Sequence, residues 1–252
     1  MTDRGQQVST ELALDVALQL YAGGAESERV VTAAQRVGQH YGLERVELAL
    51  TPKAVMISSW QQGQAVTLVK RLAGLGQDMH KVCQVELLCE RCEQQELSLE
   101  EATRQLNQLD GWHWPRWAVA LAMAPTCGAF AWLMGADLAG VAIAAVAAIM
   151  AMALRLWMTA RGVNLLFNWA ITAFVSTFLT RLPLGLSEHI DLVSAAVVLM
   201  LVPGFPMVDA LTDMLRSHFG VGWARWVQAS LMILAAAVGV ASALHLLWWL
   251  EW

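Results

Sequence analysis

The chain reads as an α-helical integral membrane protein with about five transmembrane helices, preceded by an N-terminal cytoplasmic α/β domain. Three observations predict this class. Of the 37 Asp, Glu, Lys and Arg residues, 25 lie in residues 1–111 and 12 in residues 112–252, so the first segment suits water and the second lipid. After residue 116, apolar segments recur that are long enough to cross a hydrocarbon core of about 30 Å as helices. Before it, apolar residues follow first a helical and then a two-residue period, as in a mixed helix–strand domain. The whole chain is 15% charged, against about 25% in an ordinary soluble domain.

The α/β domain covers residues 1–111. Leu12, Val16 and Leu20, with Leu14 and Leu18, predict a helix over 9–22, capped by Ser9 or Thr10 and ended by Gly23-Gly24. A second helix, 26–41, opens with Glu26 and Glu28, whose charge suits a helix N-terminus, and stops at Gly42. Val46, Leu48 and Leu50 then alternate with polar neighbours. Ala54–Trp60 and Ala65–Val69 give two further strands, joined by a hairpin at Gln61-Gln62-Gly63. Helices over 79–96 and 98–109 close the domain, the second opened by Ser98 with Glu101 as a capping box.

The transmembrane domain covers 112–252 and starts at Trp112-His113-Trp114-Pro115-Arg116-Trp117, where amphipathic rings suit the headgroup zone. The predicted spans are about 117–134, 138–158, 164–181, 190–215 and 224–250. With the first domain inside, Arg116, Arg155, Arg161, Arg216 and Arg225 fall at cytoplasmic ends, and Arg181 lies opposite with Asp137, Glu188, Asp191 and Glu251. That asymmetry obeys the positive-inside rule. An odd number of spans then puts the C-terminus, with Trp248, Trp249 and Trp252, on the far side. No signal peptide is read at the start, because Glu11 and Asp15 interrupt the apolar stretch. Reduced thiols in the cytoplasm accommodate all four cysteines.

Net charge −5 and the lack of a basic cluster exclude a nucleic-acid partner. No enzyme constellation is read either. Ser27 lacks a G-x-S-x-G setting, so capping is its expected role. His80 is a lone histidine near a helix start, read as a capping or interface residue. Cys89-x-x-Cys92 with Cys83 nearby has no second pair, so structural thiols are favoured over zinc. Gly74-x-Gly76 is too short for a nucleotide loop. Neither metal nor cofactor is expected.

The most informative stretch is Pro203-Gly204-Phe205-Pro206, deep in the fourth apolar segment. Both prolines remove a backbone donor, so the helix must break and nearby carbonyls lose partners. In a bilayer such a break survives only where protein or a water-filled cavity satisfies those groups, as in the substrate sites of transporters. Asp209 and Asp213 follow at i, i+4 on one face. Intramembrane carboxylates mark pathways or proton relays; the bland alternative is a mere kink, with Asp213 in the headgroups beside Arg216. Arg155 either snorkels to the interface or serves as counter-charge to an anionic substrate or to Asp209. Asn164, Asn168 and Thr172 share a polar stripe that lines a cavity or bonds helices together. Gly135, Gly140 and the alanines of the second span read as close-packing residues.

The succession Gly24-Ala25-Glu26-Ser27, Pro115-Arg116-Trp117 and Leu201-Val202-Pro203-Gly204-Phe205-Pro206 resembles the threonine/serine exporter family over nearly the whole chain. It is most similar to the YjjP-type subunit of the split, two-component version. The resemblance implies a bacterial inner-membrane half-transporter, N-terminus cytoplasmic and C-terminus periplasmic, working with a second small membrane subunit in the lipid bilayer. It also implies export of a small carboxylate: threonine or serine, or a dicarboxylate such as succinate. On this reading Pro203, Gly204, Phe205, Pro206, Asp209, Asp213, Arg155 and Asn168 form the substrate or ion pathway. The rival reading is a membrane-anchored metabolite sensor whose ligand binds the cytoplasmic domain; a hydrolase using that domain is a weaker third.

Overall fold

The computed structural model describes residues 3–72, 74, 76–94, 96–109, 114–182 and 186–250. Trp112 and His113 of the expected junction, the expected boundary at 111–112, and Glu251 and Trp252 lie outside them. The chain forms two compact units: Met1–Trp112 with Val208–Trp226, and His113–Met207 with Val227–Trp252.

In the first unit, helix α1 (Asp3–Ala22) leads to α2 (Ser27–His40) and then to strands β1 (Arg45–Thr51), β2 (Ala54–Gln61) and β3 (Gln64–Arg71). The strands form an antiparallel meander in the order β1-β2-β3. Gln62 and Gly63 both have positive φ (50° and 77°), as a two-residue type I′ hairpin requires, and Gln61 pairs with Gln64 across it. Helices α3 (Met79–Glu93) and α4 (Leu99–Gln108) follow. Val46, Val55 and Ile57 face inward from the sheet, while Met56 and Val69 remain exposed on its other face. Leu12, Leu14, Val16, Leu20 and Tyr21 of α1 are all buried in one core with the sheet residues and α2 to α4. A helix enclosed on several sides is apolar on several sides, which explains its two overlapping leucine rows. It also begins earlier than expected. Gln6 donates to the carbonyls of Ser59 and Gln64, and Thr10 shares a 2.7 Å hydrogen bond with Ser59, so the first turns are tied to the sheet.

In the second unit lie α5 (Arg116–Leu133), α6 (Leu138–Ala160), α7 (Leu165–Arg181) and α8 (Ile190–Val198), which ends in a 3-10 turn, Leu199–Leu201. Two helices bridge the units along the chain: α9 (Gly204–Leu215) and α10 (Phe219–Leu250). All five expected spans therefore coincide with helices, the fourth as a bent pair. Among the described residues, only α6 and α10 are long and apolar enough to cross a membrane outright, or three spans if the bent pair counts as one. At 18 and 17 residues, α5 and α7 are shorter, and α5 also contains Pro125.

Small residues hold the second unit together. Cys127, Ala131, Ala144, Ala147 and Ala148 pack with Val193, Ala196 and Val197, the composition that lets membrane helices approach closely. A Cβ on Gly140 would lie 2.8 Å from Val193 and 2.9 Å from Asp137 and Ser187, so the packing role expected of Gly140 holds. Gly135 differs: it has φ +95° and open space around it, and serves the turn after α5. Asn164 differs as well, because its Oδ1 accepts from the N–H of Leu166 and caps α7 rather than joining the stripe. Gly140→Leu is expected to cost roughly 1–3 kcal/mol through overpacking. Gly220→Ala, where a Cβ meets nothing within 4 Å, should gain about 0.5–1 kcal/mol of helix stability. Thermal unfolding in detergent checks both: the first midpoint should fall and the second should hold or rise.

Candidate functional site

The break after α8 can be followed bond by bond. Because Pro203 has no N–H, the Leu199 carbonyl loses its helical partner and takes the Val202 N–H at 3.0 Å. Pro206 likewise cannot serve Val202, whose carbonyl accepts from Gly204 N–H at 2.8 Å. The Leu201 carbonyl accepts from the Trp169 indole Nε1 of α7 at 2.8 Å, and that ring is only 8% exposed. The chain then turns by 50° into α9. Three of the first four positions of α9 offer an incoming anion no free donor: Gly204 N–H is turned back on Val202, Pro206 has none, and Met207 N–H serves Pro203. A helix N-terminus ordinarily offers its free N–H groups to an anion; here that capacity is reduced accordingly. Pro203 is buried, Pro206 half-buried, and Gly204 and Phe205 exposed.

Positive charge is nevertheless at hand. The guanidinium of Arg155 lies 3.8 Å from the centroid of the Trp169 ring, close enough for a cation–π attraction. Asn168 Nδ2 donates to the Arg155 carbonyl (3.2 Å) and to Thr159 Oγ1 (2.9 Å), and its Oδ1 accepts from Thr172 (3.2 Å). The fold thus brings Arg155 and Asn168 together with the break, through Trp169, a residue the sequence reading did not single out. Asn168, Thr172, Ser176 and Thr180 recur every fourth residue along α7 and are all buried; Thr180 also shares a 2.7 Å hydrogen bond with Ser194.

Asp213 belongs elsewhere. It lies in the first unit, is 1% exposed, and has Arg225 as its ion-pair partner. Its Oδ1 accepts from the backbone N–H of Ser27 at 3.0 Å, and its Oδ2 from Arg225 Nη1 at 2.8 Å. Around this pair each residue of the Gly-Ala-Glu-Ser stretch has a task. Gly24 (φ +90°) ends α1, where the Gly24 and Ala25 N–H groups bond the Tyr21 and Leu20 carbonyls. The Ala25 carbonyl accepts from Arg225 Nη2 at 3.3 Å. Glu26 is the N-cap of α2 without a side-chain cap bond and pairs with Arg216 at 3.2 Å; Glu28 pairs with Arg216 as well. Ser27 does not cap its own helix: a carboxylate 186 residues away does so. Arg225, read from sequence as a topological charge, is 8% exposed and lies 5.3 Å from the Tyr21 ring. Burial pushes the Tyr21 phenol above its ordinary range, with Arg225 opposing. Asp209, one turn before Asp213, is half-buried.

Cys89 and Cys92 are packed in the core of the first unit, and burial first, then neighbouring Cys92, pushes the Cys89 thiol up to about 12. Cys83 is exposed. His80 meets Gln84 at 2.9 Å, while Asp78 caps that helix.

The sequence model of the threonine/serine exporter family matches residues 11–247. A Klebsiella aerogenes protein named "Probable succinate transporter subunit YjjP" is 33% identical over 242 residues, 95% of this chain and 94% of its own. An Escherichia coli K12 protein of the same name is 33% identical over 247 residues, 97% and 96% of the two chains. A Haemophilus influenzae "Uncharacterized protein" is 35% identical over 132 residues, 52% of this chain and 44% of its own. No solved structure matches. A family match running through both units, and relatives aligned almost from end to end, place this helical membrane protein: it belongs to the threonine/serine exporter family.

Proposed function

We propose that the protein is one subunit of an exporter of small carboxylates in the bacterial inner membrane, completed by a second small membrane subunit. The substrate is a dicarboxylate such as succinate, or threonine or serine. Two relatives carry the name of a succinate transporter subunit, and the family is one of exporters. The observation that carries the reading is the broken helix whose freed Leu201 carbonyl is held by Trp169 beneath Arg155. A helix that only anchors a sensor has no use for such a break, and the sensor reading leaves it unexplained.

In this reading the five helical segments α5, α6, α7, the bent α8–α9 pair and α10 all serve as spans. The N-terminus is cytoplasmic and the C-terminus periplasmic, as the arginine asymmetry suggests. Arg155, held over the Trp169 ring, supplies the charge that meets the substrate carboxylate. Asn168 and the hydroxyls of Thr172, Ser176 and Thr180 line the route beside it. The Pro203–Pro206 break is where the helix yields as the site alternates, and Asp209 takes and releases a proton in step. An anion leaving the cytoplasm also gains from a membrane potential positive outside.

Cells expressing this chain with its partner subunit should release labelled succinate, threonine or serine faster than cells lacking them. Equal release of all three in both strains would overturn the exporter reading. Hydrogen bonds to a charged group contribute roughly 1.5–3 kcal/mol, and each step of about 1.4 kcal/mol is tenfold. Arg155→Ala should therefore raise the KM for export by about 10- to 100-fold, with Arg155→Lys between it and the parent; a KM unmoved by Arg155→Ala removes Arg155 from the route. Asp209→Asn should reach the membrane at parental levels yet export with a flattened pH profile. A parental profile in that variant excludes Asp209 as the proton carrier.

A further inference from the structure

The route proposed above leaves Asp213 and Arg225 without a task, although they are the most deeply buried ion pair among the described residues. A buried pair contributes little net stability compared with apolar residues of similar volume, because both charges lose their water. Its geometry is nonetheless specific. One carboxylate ties the α2 N-terminus to the guanidinium, and the guanidinium returns to the Ala25 carbonyl. The α9–α10 hairpin is tight on its own side as well. A Cβ on Gly222 would meet the Ala210 carbonyl at 2.7 Å, and the intervening turn places Ser217 at φ +67° with His218 N–H on the Asp213 carbonyl at 2.8 Å. Residues of α9 one helical turn apart share a face, so whatever fixes Asp213 also fixes where Asp209 points. The Tyr21 and Ser27 hydroxyls of the same region are buried without a hydrogen-bond partner in this arrangement.

We propose that Asp213 and Arg225 are positioning residues for export: by clamping the Gly24–Ser27 turn they set the rotation of α9, and so the direction in which Asp209 is presented. The clamp gives the first unit a part in transport that requires no substrate contact of its own. The inference rests on the exporter reading for its role, and on the first unit alone for its geometry.

The test is the double variant Asp213→Leu/Arg225→Met, which leaves no unpaired charge buried and is expected to accumulate like the parent. Two readouts apply. In a Cys83→Ser background, which removes the exposed native thiol, Asp209→Cys should react with a water-soluble maleimide at a rate changed at least threefold by the double variant. In export assays with Asp209 intact, the maximal rate should fall at least tenfold while the KM for succinate, threonine or serine stays within twofold. An unchanged labelling rate overturns the clamp, as does a maximal rate within twofold of the parent or a rise in KM alone. A double variant that fails to accumulate assigns the pair to stability and also overturns it. If the parent itself exports nothing, the exporter reading fails while the labelling result still decides the positioning claim.

Discussion

Backbone carbonyls left bare in hydrocarbon are too costly to persist, and the arrangement of the second unit follows from how one of them is covered. Pro203 and Pro206 remove the helical donors of the Leu199 and Val202 carbonyls, and at the break between them the Leu201 carbonyl is left to a partner outside the helix. Two of these are met locally by N–H groups two or three residues on, and the third needs a donor from another helix. Trp169 provides it, and in doing so fixes the rotation of α7. With the indole committed to Leu201, Ala173 falls into the same cluster as Met232 and Ala236 of α10. Arg155 gains an aromatic face to lie on, and the hydroxyl row from Asn168 to Thr180 is carried into the interior. A single hydrogen bond thus links the break, the cation and the polar stripe.

The parts of this molecule that were legible in sequence are those governed by local rules. The period-two strands, the Gln62-Gly63 turn, the glycine stops of α1 and the proline break each depend on residues within a few positions of one another. Even there the local rule was only half sufficient. Ser98 accepts from the Glu101 N–H, as a capping box requires, but the Glu101 carboxylate bonds Arg104 and Gln105. What escaped the sequence is long-range partnership. Nothing near Ser27 announces that its N–H is met by Asp213, and nothing near Arg225 distinguishes a buried clamp from an interfacial charge. Tryptophan in an apolar helix is ordinarily an interface marker, which concealed the donor role of Trp169. The family-like Gly24–Ser27 stretch did signal importance, but its reason became visible only when four consecutive residues each met a partner.

The two units use different chemistry to hold their shape. The first has a mixed core of leucine, valine, isoleucine and tyrosine around α1, with ion pairs at its edges. The second relies on alanine and glycine, where the gain is close approach rather than removal of apolar area from water, since lipid is no less apolar than a protein core. Substitutions at Gly140 therefore act through clash. In the first unit the vulnerable points are polar: an unpaired Asp213 or Arg225 would leave a charge without solvent.

The length of α10 reconciles these features. Its 32 residues, at a rise of about 1.5 Å each, extend roughly 48 Å, well beyond a hydrocarbon core of about 30 Å. About twelve residues exceed what such a core spans, and the helix's charge and packing differ between its two ends. Arg225 is the helix's only Asp, Glu, Lys or Arg residue, and Val221 joins the core of the first unit while Met232 and Ala236 join a cluster of the second. The surplus therefore includes the first two turns, which carry that charge and belong to the first unit. What grips that end of the helix is a buried carboxylate on α9: Asp213 Oδ2 accepts from Arg225 Nη1 at 2.8 Å, and both residues lie in the first unit.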